Sequence, residues 1–403
     1  MSNNKTYDLC IVGAGFSGLV LAAYAARAGL LVCLIDLNRL VGRRILSTGN
    51  GRCNFTNKNM GKEYYYSNHN LDFISDDHEE LVSFLKELGV IEKDLDGYYY
   101  PITNQAKTVR DALENEINRL NISVFLDNRV TDITKEDDLF TVVTNRNVFS
   151  AKSVCVASGG LAAATLGSSK IGYKMAQKFN MEVTKTAPSL VGATSKDICL
   201  KELSGVRAQG KVTYRDYSCE GEVQFTKEAV SGYPVMCISR FIGFDEEAGT
   251  LDKLYVDFAP YLNGYELKKE LKTRFERNEK ATISQALVGL FNEKVAETII
   301  SYSRIYNDTM VSQLDDTDID ALSKNIKRFA IKINGTKGFD AAQVTAGGVD
   351  LSYINLDTME STTCKGLYFI GEVLDVDGIC GGYNLQWAYS SAKRAAMDLI
   401  KEF

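Results

Sequence analysis

Three glycines, Gly13, Gly15 and Gly18, stand in G-x-G-x-x-G spacing directly after the short apolar run Leu9–Val12, and a carboxylate, Asp36, closes a second apolar run, Leu31–Ile35. Together these residues can hold a dinucleotide. Gly13 permits a tight turn out of a strand, Gly15 leaves no side chain where a pyrophosphate would approach, and Gly18 lets the following helix pack closely on the sheet. The start of that helix, with Ala14, Phe16 and Ser17 between the glycines, offers unpaired amides and a positive dipole end to phosphate. Asp36 lies about twenty residues further on, the place from which a carboxylate accepts both hydroxyls of an adenosine ribose and repels a 2'-phosphate. A lone G-x-G-x-x-G is weak evidence. Here it comes with a strand, a helix presenting Leu19, Ala22, Ala23 and Ala26 on one face, a second strand and a terminal acid, which make a dinucleotide-binding βαβ unit.

Beyond Asp36 the segment Val41–Asn57, VGRRILSTGNGRCNFTN, is dense in glycine, asparagine and hydroxyls and carries Arg43, Arg44 and Arg52. A plain NAD domain would move on to its next helix here, whereas a polar loop suits a more extended cofactor. Arg43 or Arg44 can neutralise phosphate, while Thr48, Asn50 and the amides of Gly49 and Gly51 can face the edge of a polar ring. A second glycine turn, Ala157–Gly160 with Ser158 and Gly159 inside it, follows the strand-like run Val148–Val156 and again permits close backbone approach.

The elements that must position these residues can be read in order. Helical spacing covers His78–Leu88, Lys107–Leu120 and Gly172–Phe179. Strands are expected at Ile122–Leu126, Arg129–Ile133, Leu139–Thr144 and Val148–Val156, and GYYYP at Gly97–Pro101 reads as an edge strand or turn whose tyrosines are mostly core. Pro188 marks a boundary. From Leu190 to Phe258 short runs predict strands at Val206–Tyr214, Glu222–Thr226 and Leu254–Phe258. Helices are expected over Tyr265–Asn278, Ile283–Phe291, Glu293–Tyr302 and Asp318–Phe329, then a strand at Leu367–Ile370 and a last helix over Leu385–Lys401. The fold class is α/β: a split Rossmann-like nucleotide domain (1–188 and 344–403), a mainly-β second domain (189–262, with a return strand in 331–343), and a small helical subdomain (263–330) carried by the second.

Composition narrows the function. With 46 Lys and Arg against 52 Asp and Glu, the formal net charge is -6 with no sustained basic run, so nucleic acid is not an expected partner. No apolar segment is long enough to cross a bilayer, the first residues suggest neither secretory nor transit signal, and a cytoplasmic location is expected. The nine cysteines are dispersed without a C-x-x-C pair, and the only histidines are His69 and His78, so no metal site is expected and Ser or Cys hydrolase chemistry lacks its usual base.

Several long motifs carry a family resemblance: GAGFSG at Gly13–Gly18, GRRILSTGNGRCNFTN at Gly42–Asn57, GEVQFTKEAVSG at Gly221–Gly232, VTAGGVDL at Val344–Leu351 and GLYFIGEVLDVDGICGGYNLQWAYSSA at Gly366–Ala392. With these the chain resembles, over nearly its whole length, the bacterial NAD(P)/FAD-dependent oxidoreductase family of HI0933-like and BaiN-like flavoproteins, which includes aminoacetone oxidases and reductases of unsaturated bile-acid intermediates. The resemblance implies FAD as cofactor. It gives Gly13, Gly15 and Gly18 to the pyrophosphate turn and Asp36, where relatives more often carry glutamate, to the adenosine ribose. Arg43 and Gly49–Asn54, including Arg52 and Cys53, would line the cofactor, and the Val130 backbone would meet adenine. Gly371 and Glu372 would lie beside pyrophosphate and ribitol, and Gly381, Gly382, Tyr383, Asn384 and Leu385 at the flavin ring. Serine replaces the usual threonine at Ser158, and Ser391–Ala395 departs from the glycine-containing helix of relatives. The expected function is an FAD-dependent oxidoreductase acting on a small organic molecule, by NAD(P)H-dependent reduction of a conjugated C=C bond with NADH or NADPH docking transiently. The alternatives are an oxygen-using amine oxidase and a non-catalytic flavin-binding regulator. The substrate and the catalytic acid or base stay open.

Overall fold

The computed structural model describes residues 5–402, which form two compact units: one from the stretches on either side (up to Ala187 and from Gln343), the other from Pro188–Ala342.

The first unit is built on a nine-stranded sheet whose middle is parallel. Ser123–Phe125, Val32–Ile35, Thr6–Val12, Val148–Val156 and Leu367–Phe369 lie side by side in that order. Leu9, Cys10 and Ile11 are wholly buried, as is the full Val32–Ile35 strand within a few per cent; a sheet covered on both faces needs continuous apolar runs, not alternation. The register pairs Cys10 with Cys33 on one side and with Val154 on the other, so two of the dispersed cysteines are adjacent core residues. The antiparallel strands Leu139–Thr144 and Val130–Glu136 extend from Val148–Val156. The first helix, Phe16–Arg27, is met by the last, Tyr383–Glu402, where the Tyr24 and Tyr389 hydroxyls bond at 2.8 Å.

Two local expectations are corrected. Tyr98–Pro101 is a strand, but it is the middle one of a three-stranded sheet, between Thr56–Asn57 and Glu92–Leu95; Pro101 sits at its end, where the missing amide costs nothing in the centre of the ladder. The polar loop after Val41 is wound into 3-10 turns within Arg43–Gly51, broken by a kink at Thr48, Gly49 and Asn50.

In the second unit six strands close a barrel in the order Ala193–Ser195, Ala229–Gly232, Tyr217–Phe225, Arg207–Tyr214, Lys253–Asp257 and Phe329–Thr336. Val212, Val223, Phe225, Leu254, Val256, Phe329 and Ile331 fill its core. A sixteen-residue helix, Tyr233–Ala248, is absent from the sequence reading; Pro234 in its first turn is the start signal that the sequence offered. Phe329 belongs to the return strand and not to the preceding helix, which ends at Lys327, and the helix expected over Ile283–Phe291 is only Ile283–Ala286. Capping boxes at Asn263/Glu266, Thr282/Gln285 and Asp315/Asp318 start three of its helices. Among the described residues no helix is long and apolar enough to cross a membrane.

Candidate cofactor site

The carboxyl ends of three parallel strands meet at the first glycine turn. Gly13 donates its amide to the Ile35 carbonyl and Ala157 donates its own to Val12, both at 2.8 Å. Gly13 has φ +114, and a Cβ there would sit 2.3 Å from the Ala157 carbonyl oxygen; at Gly18 it would sit 2.0 Å from the Gly13 carbonyl. Both glycines are therefore demanded by the fold itself. Gly15 is different. Its backbone is extended (φ -75, ψ -173), and a Cβ built on it meets nothing within 4 Å. The helix it starts has no side-chain cap and no acid in its first turn, so no side chain serves its first amides and the dipole is uncompensated. Phe16 is buried and can offer only its backbone to a ligand, and the Ala14 amide is already committed to Asp36.

Asp36 is fixed by two 2.7 Å bonds, Ala14 N–H to Oδ2 and Asn38 N–H to Oδ1. Burial pushes its carboxyl above the ordinary range, against the pull of those two amides, of the Asn38 side chain and of the Arg43 charge. The remaining lone pairs face a cleft lined by Gly13, Asp36, Asn128, Val130, Ser158 and Ile171, which brings together the first strand end, the ribose carboxylate, Val130 and the second glycine turn. Open space at Gly15, uncapped amides and a half-occupied carboxylate fit the adenosine and diphosphate of FAD.

The three arginines of the polar loop go to three places. Arg43 is exposed and donates to the Asn38 side chain at 3.0 Å, beside Asp36. Arg44 pairs with Glu372 at 3.1 Å, and a Cβ on Gly159 (φ +70) would lie 2.8 Å from its guanidinium. Glu372 also accepts the Thr345 amide at 3.1 Å. Gly371, with φ +74, is clamped by the last helix: its amide bonds the Ser391 hydroxyl at 3.0 Å, and its carbonyl accepts the Trp387 indole N–H at 3.1 Å. Ser391 thus has a definite task. A Cβ on Gly371 would lie 2.7 Å from Ser17 Oγ, so the first and last segments of the chain touch here.

The third arginine, Arg52, is exposed and stands over the Tyr100 ring at 5.1 Å. It follows a turn in which Gly49, Asn50 and Gly51 all have positive φ, with Cys53 left-handed again beyond it. Cys53 is wholly buried, and burial pushes its thiol up to about 12, so it supports the turn from inside and reaches no ligand as a thiolate. Asn54 spends its amide on the Thr56 and Tyr99 carbonyls, at 3.0 and 2.9 Å. This turn interlocks with the C-terminal glycines: Asn57 donates to the Gly381 carbonyl at 3.1 Å, Thr56 to Gln386 at 2.7 Å, and Gly382 (φ +94) packs so that a Cβ would be 2.6 Å from the Thr56 carbonyl. The Asn384 side chain bonds both the amide and the carbonyl of Gly378, Tyr383 stacks on Tyr64 at 4.7 Å, and Leu385 is half-buried beside them.

Sequence reasoning favoured the core for the tyrosines of Gly97–Pro101 over the lining of a ligand cleft, yet Tyr98 and Tyr100 stand beside these turns. Both are half-buried: the Tyr100 ring lies 3.7 Å from a Cβ built on Gly49, and the Tyr98 ring 3.1 Å from one on Gly381. Their i, i+2 spacing on a strand, which places both on one face, was the signal available. Thr345 was missed, and nothing in its local sequence points to Glu372.

The relatives of this chain are full-length. A 3-dehydro-bile acid delta(4,6)-reductase of Clostridium scindens is 35% identical, with 96% of this chain and 98% of that one aligned. A ribosomal RNA dihydrouridine synthase of Escherichia coli is 32% identical, with 98% of each covered. Among solved structures, a 3-ketosteroid-delta4-(5alpha)-dehydrogenase from Rhodococcus jostii RHA1 superposes with a TM-score of 0.53 at 13% identity, covering 98% of this chain and 97% of that one, a likeness of fold. The HI0933-like protein Rossmann domain matches residues 7–398, and the chain belongs to that family as an FAD-dependent oxidoreductase.

Proposed function

We propose that the enzyme saturates a carbon–carbon double bond conjugated to a carbonyl in a small organic substrate, with NADH or NADPH as the electron source, in the cytoplasm. The observation that carries this reading is the pair of full-length relatives at 35% and 32% identity. The substrates in their names differ, but the bond is of one kind. A 3-oxo-4,6-diene and the C5–C6 bond of a uracil both present an alkene whose far carbon is made electrophilic by a carbonyl. Hydride goes to that far carbon, a proton goes to the carbon next to the carbonyl, and NAD(P)H leaves as NAD(P)+. Bound FAD supplies the two-electron carrier between donor and substrate.

The chain's own residues would divide the remaining work. The amides at Gly15–Gly18 and the Asp36 carboxylate bind and orient the adenosine diphosphate half, and Arg44 with Glu372 holds the middle. Beside the interlocked turns at Gly49–Asn54 and Gly381–Asn384, Arg52 and the Tyr100 hydroxyl are the groups suited to hold a substrate carbonyl and to return a proton. Anaerobic flavin absorbance tests the reading: NADH or NADPH should bleach the bound flavin, and a conjugated enone should restore it. Bleaching by an amine with recovery only on oxygen would replace this reading with an amine oxidase.

A second reading is favoured by the 32% relative: the conjugated bond is a uridine of RNA. The acidic balance of the chain is no argument against one modified nucleotide entering a site, so the expectation of no nucleic-acid partner is not carried forward. Reoxidation of the reduced enzyme by ribosomal RNA, but by no free enone, would select it.

A further inference from the structure

Among the buried polar groups of the first unit that make no hydrogen bond, one is a phenol near the candidate site. Tyr173, on the helix Ile171–Lys178, is 7% exposed, and its hydroxyl makes no hydrogen bond. Buried hydroxyls are nearly always paired, and a phenol is readily turned to find an acceptor. The nearby carboxylate is already served: Glu372 takes Arg44 and the Thr345 amide. The hydroxyl nevertheless lies where the charges of Glu372, Arg44 and Asp375 reach it, and its own helix packs beside the second glycine turn, since a Cβ on Gly172 would meet Ser158 Oγ at 2.4 Å. Burial first, then Glu372, keep this phenol protonated, so it is a standing donor.

We infer that Tyr173 is a cofactor-binding residue, whose hydroxyl donates to the ribityl hydroxyls or the flavin-side phosphate of FAD, outside the AMP half. This rests on the assignment of the site to FAD. It adds a neutral donor within reach of the Arg44–Glu372 pair, supplied by a helix with no glycine fingerprint to announce it.

Tyr173→Phe tests it in the full chain, because it removes the hydroxyl and keeps the ring. FAD affinity of flavin-stripped protein, AMP affinity by competition, and the melting temperature without ligand are measured beside the parent. The expected result is an FAD dissociation constant raised about 5- to 10-fold, the usual share of one hydrogen bond, with AMP affinity and ligand-free melting unchanged. An unchanged FAD affinity in a variant whose parent binds FAD overturns the role of Tyr173 and leaves the cofactor assignment standing. A parent that binds no FAD overturns both. Equal losses for FAD and AMP, a lowered ligand-free melting temperature, or failure of the variant to fold would each show that the hydroxyl serves the protein, through a buried water or otherwise, and would overturn the inference.

Discussion

Gly15→Val separates the ligand's demands from the fold's at a single turn. Gly15 is extended at φ -75 and ψ -173, a conformation valine adopts freely, and its Cβ would enter open space. Two small terms act on the ligand-free protein. Restricting the unfolded chain stabilises by about 0.4–1 kcal/mol, and replacing glycine by a β-branched residue at a helix N-cap costs a comparable amount, about 1 kcal/mol. The melting temperature without ligand should therefore stay within a few degrees of the parent. The space filled is the one the diphosphate would use. Forcing extra methyls into an occupied volume costs about 1–3 kcal/mol, which is a 5- to 150-fold rise in the FAD dissociation constant. Gly18→Ala is the control, since its Cβ would lie 2.0 Å from the Gly13 carbonyl, and it should lower the melting temperature before any ligand is added. Flavin fluorescence quenching and thermal denaturation read the two effects. Parental FAD affinity in Gly15→Val, or a melting loss as large as that of Gly18→Ala, would refute the reasoning.

Two further outcomes depend on pH. Asp36 carries a carboxyl raised by burial, and ribose hydroxyls favour its ionised form, so FAD affinity should fall as pH drops through that raised carboxyl range; Asp36→Asn should bind more weakly at neutral pH and lose this dependence, and a parent affinity flat down to the ordinary carboxylate range would contradict it. Cys53 is raised from 9.0 to about 12, so its share of stability is fully present below about pH 9 and is lost as pH climbs towards 12; Cys53→Ala should melt with a shallower alkaline decline and still release its FAD on denaturation, whereas an unchanged alkaline slope would show that the thiol titrates as in the unfolded chain.

What was legible in the sequence was whatever a residue needs from its immediate neighbours. Gly13 and Asp36 could be read because a positive-φ turn and a ribose carboxylate follow from spacing along one strand–helix–strand unit. The helix Tyr233–Ala248 was not, because its face alternates Val235, Cys237 and Ile242 with Ser239 and Gly243 inside a stretch of short strands, and what holds it is remote: Glu246 accepts both the amide and the hydroxyl of Thr336 at 2.8 and 2.9 Å. The same limit applies at the site. Arg44 and Glu372 are 328 residues apart, Thr56 and Gln386 330, so their pairing is a product of topology and leaves no local pattern.

These remote contacts also explain why the site can be rigid before any ligand arrives. Gly371 is held between Ser391 and Trp387, Gly382 against Thr56, and the Gly49–Cys53 turn over a buried thiol, so most of the left-handed backbone that a flavin would rest on is fixed by the protein's own packing. A binding surface fixed in advance loses little conformational freedom on association, and each bond to the ligand then counts more nearly in full. The groups left unsatisfied in that frame, namely the uncapped amides at Gly15–Gly18, the free lone pairs of Asp36 and the Tyr173 hydroxyl, are consequently where affinity for FAD has to come from. The glycines at 13, 18, 371 and 382 serve the fold that presents them, and substitutions there should be read first as changes of stability, and as changes of binding only after folding has been measured.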